Sequence, residues 1–99
     1  MFTAYVRKPG LKFSQALSEH PDRKTIDLAL TLRQHAGYVE ALKEAGGRVE
    51  FLSPQDHLPD ATFVEDTAVI LPDKILLCPV LEPSRKEEVR STATTLKML

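Results

Sequence analysis

Apolar positions between residues 25 and 45 recur at the spacing of an α-helix. Four of them form one stripe with His35 at intervals of three and four residues: Leu28, Leu32, His35, Val39 and Leu42. Thr25 or Asp22 can supply the N-cap oxygen. Gly46-Gly47 provides a residue that tolerates the left-handed conformation common at helix ends. The pattern therefore predicts a helix over 25–45 that ends at the glycine pair.

Shorter runs rich in β-branched and apolar residues predict strands. We expect strands over residues 2–7, 49–52, 62–71 and 75–78. The third run, TFVEDTAVIL, is interrupted by Glu65-Asp66, and Pro72-Asp73-Lys74 predicts the tight turn of a hairpin. One short helical turn is expected near residues 14–18 in the loop after the first strand.

A second helix is predicted from about Arg85 to the end of the sequence. Ser84 and Glu87 have the spacing of a capping box. Val89, Ala93 and Leu96 would form its apolar side. The predicted order is β-α-β-β-β-α, an α/β (α+β) fold. Because the last helix runs into two apolar side chains with no glycine cap, we expect that Leu99 is not a natural terminus.

The composition narrows the class of protein. The 99 residues are 42% hydrophobic and 27% charged, with a net charge of −1, which is typical of one small globular domain over 1–99. No basic stripe indicates nucleic acid, and no apolar run approaches the roughly 20 residues of a membrane span. A cytoplasmic location is the default. One cysteine excludes an internal disulfide, and the scattered histidines give no reason to expect a metal or another cofactor.

Three acids lie close together in the sequence: Asp60, Glu65 and Asp66. Carboxylates amid apolar residues need a partner, since burying an unpaired charge is costly. A guanidinium is the best match, because its planar donor fork pairs with carboxylates two bonds at a time. The alternative is a solvated strand edge, where adjacent acids prevent edge-to-edge pairing. Spacing alone leaves both interpretations open.

Arg85 is a candidate for binding an anion, because it stands at the start of the last helix. The alternative is an arginine that is simply exposed. Cys78 lies in the apolar run Ile-Leu-Leu-Cys, where a cysteine is usually a small buried hydrophobe rather than a nucleophile. His35 falls on the helix stripe, and His57 lies in the loop before Asp60 without a defined role.

Four segments together resemble the dimethylarginine dimethylaminohydrolase family. In order, they are RKPG, QHAGYVEALKEAG, LPDATFVEDTAVI and PSRKEEV. The resemblance implies a guanidino-group-modifying enzyme with an amidinotransferase-like α/β propeller (pentein) of ββαβ modules. This chain would form its N-terminal part, about two of five blades. Such enzymes hydrolyse methylated arginine to citrulline and a methylamine, without a metal.

The resemblance also implies roles for single residues. Asp66, assisted by Glu65, would bind the guanidinium of the substrate, and Asp60 its α-amino group. Arg85 would pair with the α-carboxylate, and Leu17 would line a lid loop over the site. No catalytic residue is expected in this chain, because the family's nucleophilic cysteine and its histidine acid/base lie further along.

Several alternatives stay open at this point. The substrate could be free arginine, as in the deiminases of the same superfamily. The chain could instead be a stand-alone, non-catalytic module that binds arginine-like ligands or self-assembles into a propeller-like ring through unpaired strand edges. Pairing with a missing C-terminal part is the expectation that accompanies the hydrolase interpretation.

Overall fold

The computed structural model describes residues 2–16, 26–78 and 82–97. The helices and strands, in chain order, are β1 (Phe2–Val6), α1 (Leu28–Glu44), β2 (Gly47–Phe51), β3 (Ala68–Ile70), β4 (Ile75–Leu77) and α2 (Lys86–Leu96). Short 3₁₀ turns lie at Phe13–Gln15, Val64–Asp66 and Pro83–Arg85. The predicted order β-α-β-β-β-α is confirmed.

The first half of the chain is a parallel β-α-β unit. β1 and β2 pair in parallel, with Ala4 opposite Val49. Parallel neighbours need a crossover, and α1 supplies it. The amide of Leu52 donates to Val6 O at 2.7 Å and extends the pairing past β2. On α1 the predicted stripe faces inward only in part, because Val39 is the residue of this helix that is buried.

The ends of α1 differ in part from the prediction. The helix begins at Leu28 rather than at residue 25, and its N-cap is Asp27, whose carboxylate accepts from the amide of Leu30 at 3.1 Å. The predicted caps Thr25 and Asp22 lie outside the described residues. Gly46 ends the helix with φ +94°, as the glycine pair predicted. Gly47 is already the first residue of β2.

The strand predicted over 62–71 with an interruption at Glu65-Asp66 is confirmed in part: the interruption is present, but residues 62–64 before it do not form a strand. Only Ala68–Ile70 is a strand, and Val64–Asp66 forms a 3₁₀ turn. Thr67 explains the break: its amide and its hydroxyl both donate to Val64 O, at 3.0 and 2.6 Å. Such a local side-chain bond competes with a strand ladder. The hairpin itself is confirmed, since β3 and β4 pair antiparallel.

The start of α2 also corrects the sequence analysis. Ser84 lies inside the 3₁₀ turn, and Arg85 is the N-cap residue with no side-chain capping bond. The proposed capping box of Ser84 and Glu87 is therefore wrong. An N-cap serine needs an extended backbone, and Ser84 is instead part of the turn that begins at Pro83.

The inward side of α2 is more polar than predicted. Ala93 and Leu96 are buried as expected, whereas Val89 is only half-buried. Glu88 and Thr92 are fully buried in its place. The apolar core comprises Val6, Val39, Leu52, Leu58, Ala61, Ala93 and Leu96, and the largest fully buried side chains are polar: Arg7, Glu88, Thr67 and Thr92.

The β3–β4 hairpin is the main exposed apolar surface of the described residues. Each of six large side chains is at least 38% exposed: Val69, Ile70, Leu71, Ile75, Leu76 and Leu77. Both faces of the hairpin contribute, because successive strand residues alternate between faces. We call these six residues the hairpin surface. Elsewhere, neither described helix is long and apolar enough to cross a membrane.

Candidate functional site

The site is built on the loop between β2 and β3. A run of turns leads into it: Ala61 N donates to Leu58 O at 3.3 Å, and Phe63 N donates to Asp60 O at 3.0 Å. The 3₁₀ turn Val64–Asp66 follows. In a 3₁₀ turn successive side chains are rotated by about 120°. Glu65 and Asp66 are therefore adjacent in sequence but lie on different sides of the turn.

Arg85 is the centre of a cluster of charged side chains. Its side chain is 12% exposed, which excludes the interpretation of a merely exposed helix-start arginine. Nη1 donates to Asp66 Oδ2 at 2.9 Å. Nη2 lies 3.4 Å from Asp60 O and 3.5 Å from Phe63 O, two longer bonds to the loop backbone. Arg85 thus ties the loop to the start of α2.

Glu88 binds the other side of the same guanidinium. Nε of Arg85 donates to Oε2 at 3.0 Å and Nη2 donates to Oε1 at 2.8 Å, a two-bond fork. The Glu88 side chain is 1% exposed. Hydrogen bonding to Glu88 raises the pKa of Arg85 above its usual range, against the opposing effect of burial, and the bond to Asp66 adds to the rise. Arg85 is a permanent cation in this setting.

Arg7 is a second buried cation behind the site. It is 1% exposed. Nε donates to Ser53 O at 2.9 Å, and Nη1 donates to Ala61 O at 3.0 Å. Burial lowers the pKa of Arg7, and the nearby charge of Glu88 opposes this. Arg7 and Arg85 are the two cations of the cluster, and the carboxylates of Asp66 and Glu88 bind Arg85 directly.

Asp60 lies in the same cluster but is almost closed to solvent. It is 4% exposed, and its backbone oxygen accepts from Arg85 as described above. Asp66 is more open, with half of its side chain exposed. The structure therefore brings together three of the five residues that the sequence singled out: Asp60, Asp66 and Arg85. Of these two aspartates, Asp66 is the one that is accessible to solvent.

Glu65 belongs to a neighbouring cleft. It is exposed, and it lines an open cleft of about 480 Å³ together with Tyr5, Tyr38 and Thr92. Neither Asp66 nor Arg85 lines this cleft. Among the described residues Glu65 has no hydrogen-bond partner.

The other candidates contribute less. Leu17 lies outside the described residues. Cys78 is half-buried at the end of the hairpin, where its amide donates to Thr67 O at 2.9 Å. His57 lies 3.1 Å from Glu87 at the surface. Within residues 2–16, 26–78 and 82–97 no group of three or more His, Cys, Asp or Glu side chains is arranged to hold a metal ion.

The sequence analysis missed Arg7 and Glu88. Glu88 carried a signal, because a glutamate three residues after Arg85 lies on the same side of a helical turn. Arg7 carried none, since the backbone oxygens that it binds are distant in sequence. Arg7 became visible only when the loop and α2 were packed together.

Comparisons with known proteins agree with this architecture. A family model described as N,N dimethylarginine dimethylhydrolase, eukaryotic, matches residues 12–99. A curated N(G),N(G)-dimethylarginine dimethylaminohydrolase from Streptomyces coelicolor is 35% identical over 85 residues, which cover 86% of this chain and 33% of that protein. The chain therefore spans about a third of the length of the curated relative that it matches.

Solved structures show the fold. A mutant dimethylarginine dimethylaminohydrolase from Pseudomonas aeruginosa, complexed with citrulline, superposes with a TM-score of 0.90 at 25% identity over 97% of this chain and 37% of that chain. The N-terminal domain of ArgZ, an arginine dihydrolase from cyanobacteria, bound to product, superposes with a TM-score of 0.86 at 13% identity over 97% and 36%. The predicted α/β class, as part of a pentein propeller, is confirmed. Because the family model covers nearly the whole chain, this chain belongs to the N,N dimethylarginine dimethylhydrolase family and corresponds to the N-terminal portion of its homologues.

Proposed function

We propose that this chain is the substrate-recognition part of an Nω,Nω-dimethylarginine dimethylaminohydrolase. The observation that carries the proposal is the contact between Arg85 and Asp66, a cation beside a half-exposed anion. An arginine-like amino acid has the complementary pair, a carboxylate and a guanidinium joined by a short aliphatic chain. Asp66 would bind the guanidinium and Arg85 the α-carboxylate.

The remaining roles follow the family resemblance. Glu65 assists at the guanidinium, Asp60 holds the α-amino group, and Leu17 belongs to a lid. The cleft beside Glu65 gives the ligand a route to that carboxylate. Because Asp60 is 4% exposed, its role requires the loop to open or the ligand to displace part of the cluster.

The chemical step lies outside this chain in the proposal. A cysteine thiolate adds to the guanidinium carbon, dimethylamine leaves with a proton from a histidine, and water then releases citrulline and restores the thiolate. In this proposal Cys78 is not the nucleophile, because it ends the hairpin and its Sγ has no histidine partner among the described residues. The chain alone is therefore expected to be inactive.

The test uses the gene beyond the codon for Leu99. We expect the reading frame to continue and to supply a histidine and a cysteine. The full-length product should form citrulline from dimethylarginine faster than from arginine, and the 99-residue chain should form none. Turnover by the 99-residue chain alone contradicts the division of roles, and faster turnover of arginine favours the deiminase alternative.

A second candidate is a stand-alone module that binds arginine-like ligands or assembles with copies of itself. The exposed hairpin surface favours it, since contiguous exposed apolar residues mark interaction sites. The same surface would pack against the rest of the protein in the hydrolase proposal. The molecular mass in solution distinguishes the two candidates. A ring of 99-residue chains that is disrupted by the substitution Leu76→Glu supports self-assembly. A monomeric full-length enzyme opposes it.

Two further predictions accompany the proposal. The single domain over 1–99 is checked by limited proteolysis, which should leave that segment intact. The cytoplasmic location is checked by cell fractionation.

A further inference from the structure

Glu88 is fully buried, and both of its oxygens bind Arg85. It comes from the first turn of α2, so a helix backbone fixes its position. A buried carboxylate that lost its cation would be strongly destabilising. Glu88 therefore holds Arg85 more firmly than the half-exposed Asp66 does.

The N–H donors of Arg85 are not equally occupied: those of Nε and Nη2 have more acceptors than those of Nη1. A guanidinium has five N–H groups. Nε is used by Glu88, and Nη2 is used by Glu88 and by the backbone oxygens of Asp60 and Phe63. Nη1 binds Asp66, and its second N–H has no acceptor among the described residues. A ligand carboxylate can therefore approach Arg85 only at Nη1, the corner where Asp66 lies.

Further contacts around Glu88 stabilise the position of the Arg85 guanidinium. Arg7 adds a second positive charge near Glu88. Ser91, one turn further along α2, accepts from Arg7 Nη2 at 3.0 Å and from Gln55 Nε2 at 3.1 Å. The same face of the helix thus fixes both arginines relative to the loop.

We propose that Glu88 is a positioning residue, which holds the Arg85 guanidinium with Nη1 turned outward so that a ligand carboxylate can replace or join Asp66 there. This inference rests on the proposed function of the site. When the ligand guanidinium takes Asp66 away from Arg85, the fork to Glu88 keeps Arg85 in place. Glu88 itself does not touch the ligand.

The test compares two ligands that differ by the carboxylate alone. L-arginine and its decarboxylated analogue agmatine are titrated by calorimetry into the full-length product of the gene, unmutated and with Glu88→Gln. The exposed neighbour Glu87→Gln is the matched control. We expect Glu88→Gln to weaken L-arginine binding about tenfold or more, the scale of one charged hydrogen bond, and to leave agmatine binding within about twofold. Glu87→Gln should change neither.

The outcomes distinguish a failure of the proposed function from a failure of the positioning role of Glu88. If the unmutated protein binds L-arginine no better than agmatine, the role of Arg85 in the proposed function fails. If it prefers L-arginine and Glu88→Gln weakens both ligands equally, the proposed function stands and the positioning role is overturned, because a general structural defect would have that effect.

A measurement on the unmutated protein covers the case in which Glu88→Gln does not fold. The Nε–H group of Arg85 gives a signal in ¹⁵N NMR spectra. Its proton should be protected from exchange with solvent while it is bonded to Glu88. We expect this protection to persist in the L-arginine complex. Loss of protection on binding would show that Arg85 leaves Glu88, and would overturn the inference.

Discussion

Arg85 and Asp66 form a 2.9 Å ion pair in which the cation is nearly buried and the anion is half exposed. They come from different parts of the fold, the start of α2 and the 3₁₀ turn before β3. The sequence-based roles assigned them to opposite ends of one ligand. In this structure each occupies the position that the ligand group of like charge would take. In the proposed function, binding would therefore exchange this pair for two new ones.

Replacing Asp66 tests that exchange. Asp66→Asn in the full-length protein should weaken L-arginine and agmatine alike, about tenfold to a hundredfold, because both lose a charged acceptor for the guanidinium. Norvaline, which has the carboxylate but no guanidinium, should bind as well or better, because Nη1 of Arg85 is less occupied. Calorimetric titration of the three ligands provides the comparison.

The matched control for that variant is Asp73→Asn, in the exposed turn of the hairpin. It removes one carboxylate without touching the cluster and should leave all three affinities unchanged. Weaker norvaline binding in Asp66→Asn would contradict the exchange and would indicate that Asp66 supports Arg85 instead of competing for it.

The sequence predicted those elements whose signals are local. The helix α1 and the left-handed Gly46 depend on short-range spacing and on one backbone conformation, and both are found, although the α1 stripe faces inward only in part. The hairpin turn at Pro72-Asp73-Lys74 is local as well, and Leu71 N donates to Lys74 O across it at 2.9 Å. The association of Asp60, Asp66 and Arg85 came from the family resemblance.

The errors concern residues whose conformation depends on distant contacts. The run 62–71 has β-forming side chains, yet Thr67 bonds to Val64 O and to Thr92 and breaks the strand. The inward side of α2 carries the polar residues Glu88 and Thr92, and the partner of Thr92 is Thr67, which is 25 positions earlier in the sequence. A hydrophobic pattern does not register a buried polar face, so these features required the packed structure.

The buried pair Thr67 and Thr92 joins the turn before β3 to α2. Oγ1 of Thr67 lies 3.0 Å from Oγ1 of Thr92 and 2.6 Å from Val64 O. Thr67→Val should destabilise the protein by about 1–3 kcal/mol, because it leaves the Thr92 hydroxyl buried and unsatisfied. The double variant Thr67→Val/Thr92→Val should cost less than the sum of the two single variants. Urea unfolding of all four proteins measures the coupling.

The exposed Thr94 supplies a control for that cycle, since its hydroxyl bonds only to Arg90 O of its own helix. Thr94→Val should change the free energy of unfolding by less than about 0.5 kcal/mol. Strict additivity of the Thr67 and Thr92 effects would mean that the two hydroxyls do not interact in solution.

Two glycines of the α1–β2 unit should respond oppositely to alanine. At Gly47 a Cβ would collide with the ring of Phe2 and would lie 2.8 Å from Leu42 O, a backbone atom that cannot rotate away. Gly47→Ala should therefore destabilise by about 1–3 kcal/mol. Gly37 lies within α1, and a Cβ there would meet nothing within 4 Å. Gly37→Ala should stabilise by about 0.5–1 kcal/mol through helix propensity.

Thermal unfolding of the two variants beside the unmutated protein gives both signs in one experiment. Their opposite shifts serve as mutual controls, because the chemical change is the same at both positions. A neutral Gly47→Ala would show that β1 and β2 do not pack as closely in solution as described.

His35 makes stability depend on pH. Burial, and secondarily the charge of Lys8, lowers the pKa of His35 below its ordinary value of 6.5. The unfolded chain therefore takes up this proton at a higher pH than the folded chain does. Stability from this group is complete above pH 6.5 and is lost as the pH falls from 6.5 towards the lower pKa of the folded state.

His35→Gln should remove that component of the pH dependence. Urea midpoints measured at about pH 7.5 and about pH 5.5 should differ less for this variant than for the unmutated protein, since glutamine does not titrate. His57→Gln, at the surface beside Glu87, is the control and should retain the difference that His35 causes. An unchanged difference in His35→Gln would assign the pH dependence to other titratable groups, and it would mean that His35 is protonated as readily in the folded chain as in the unfolded one.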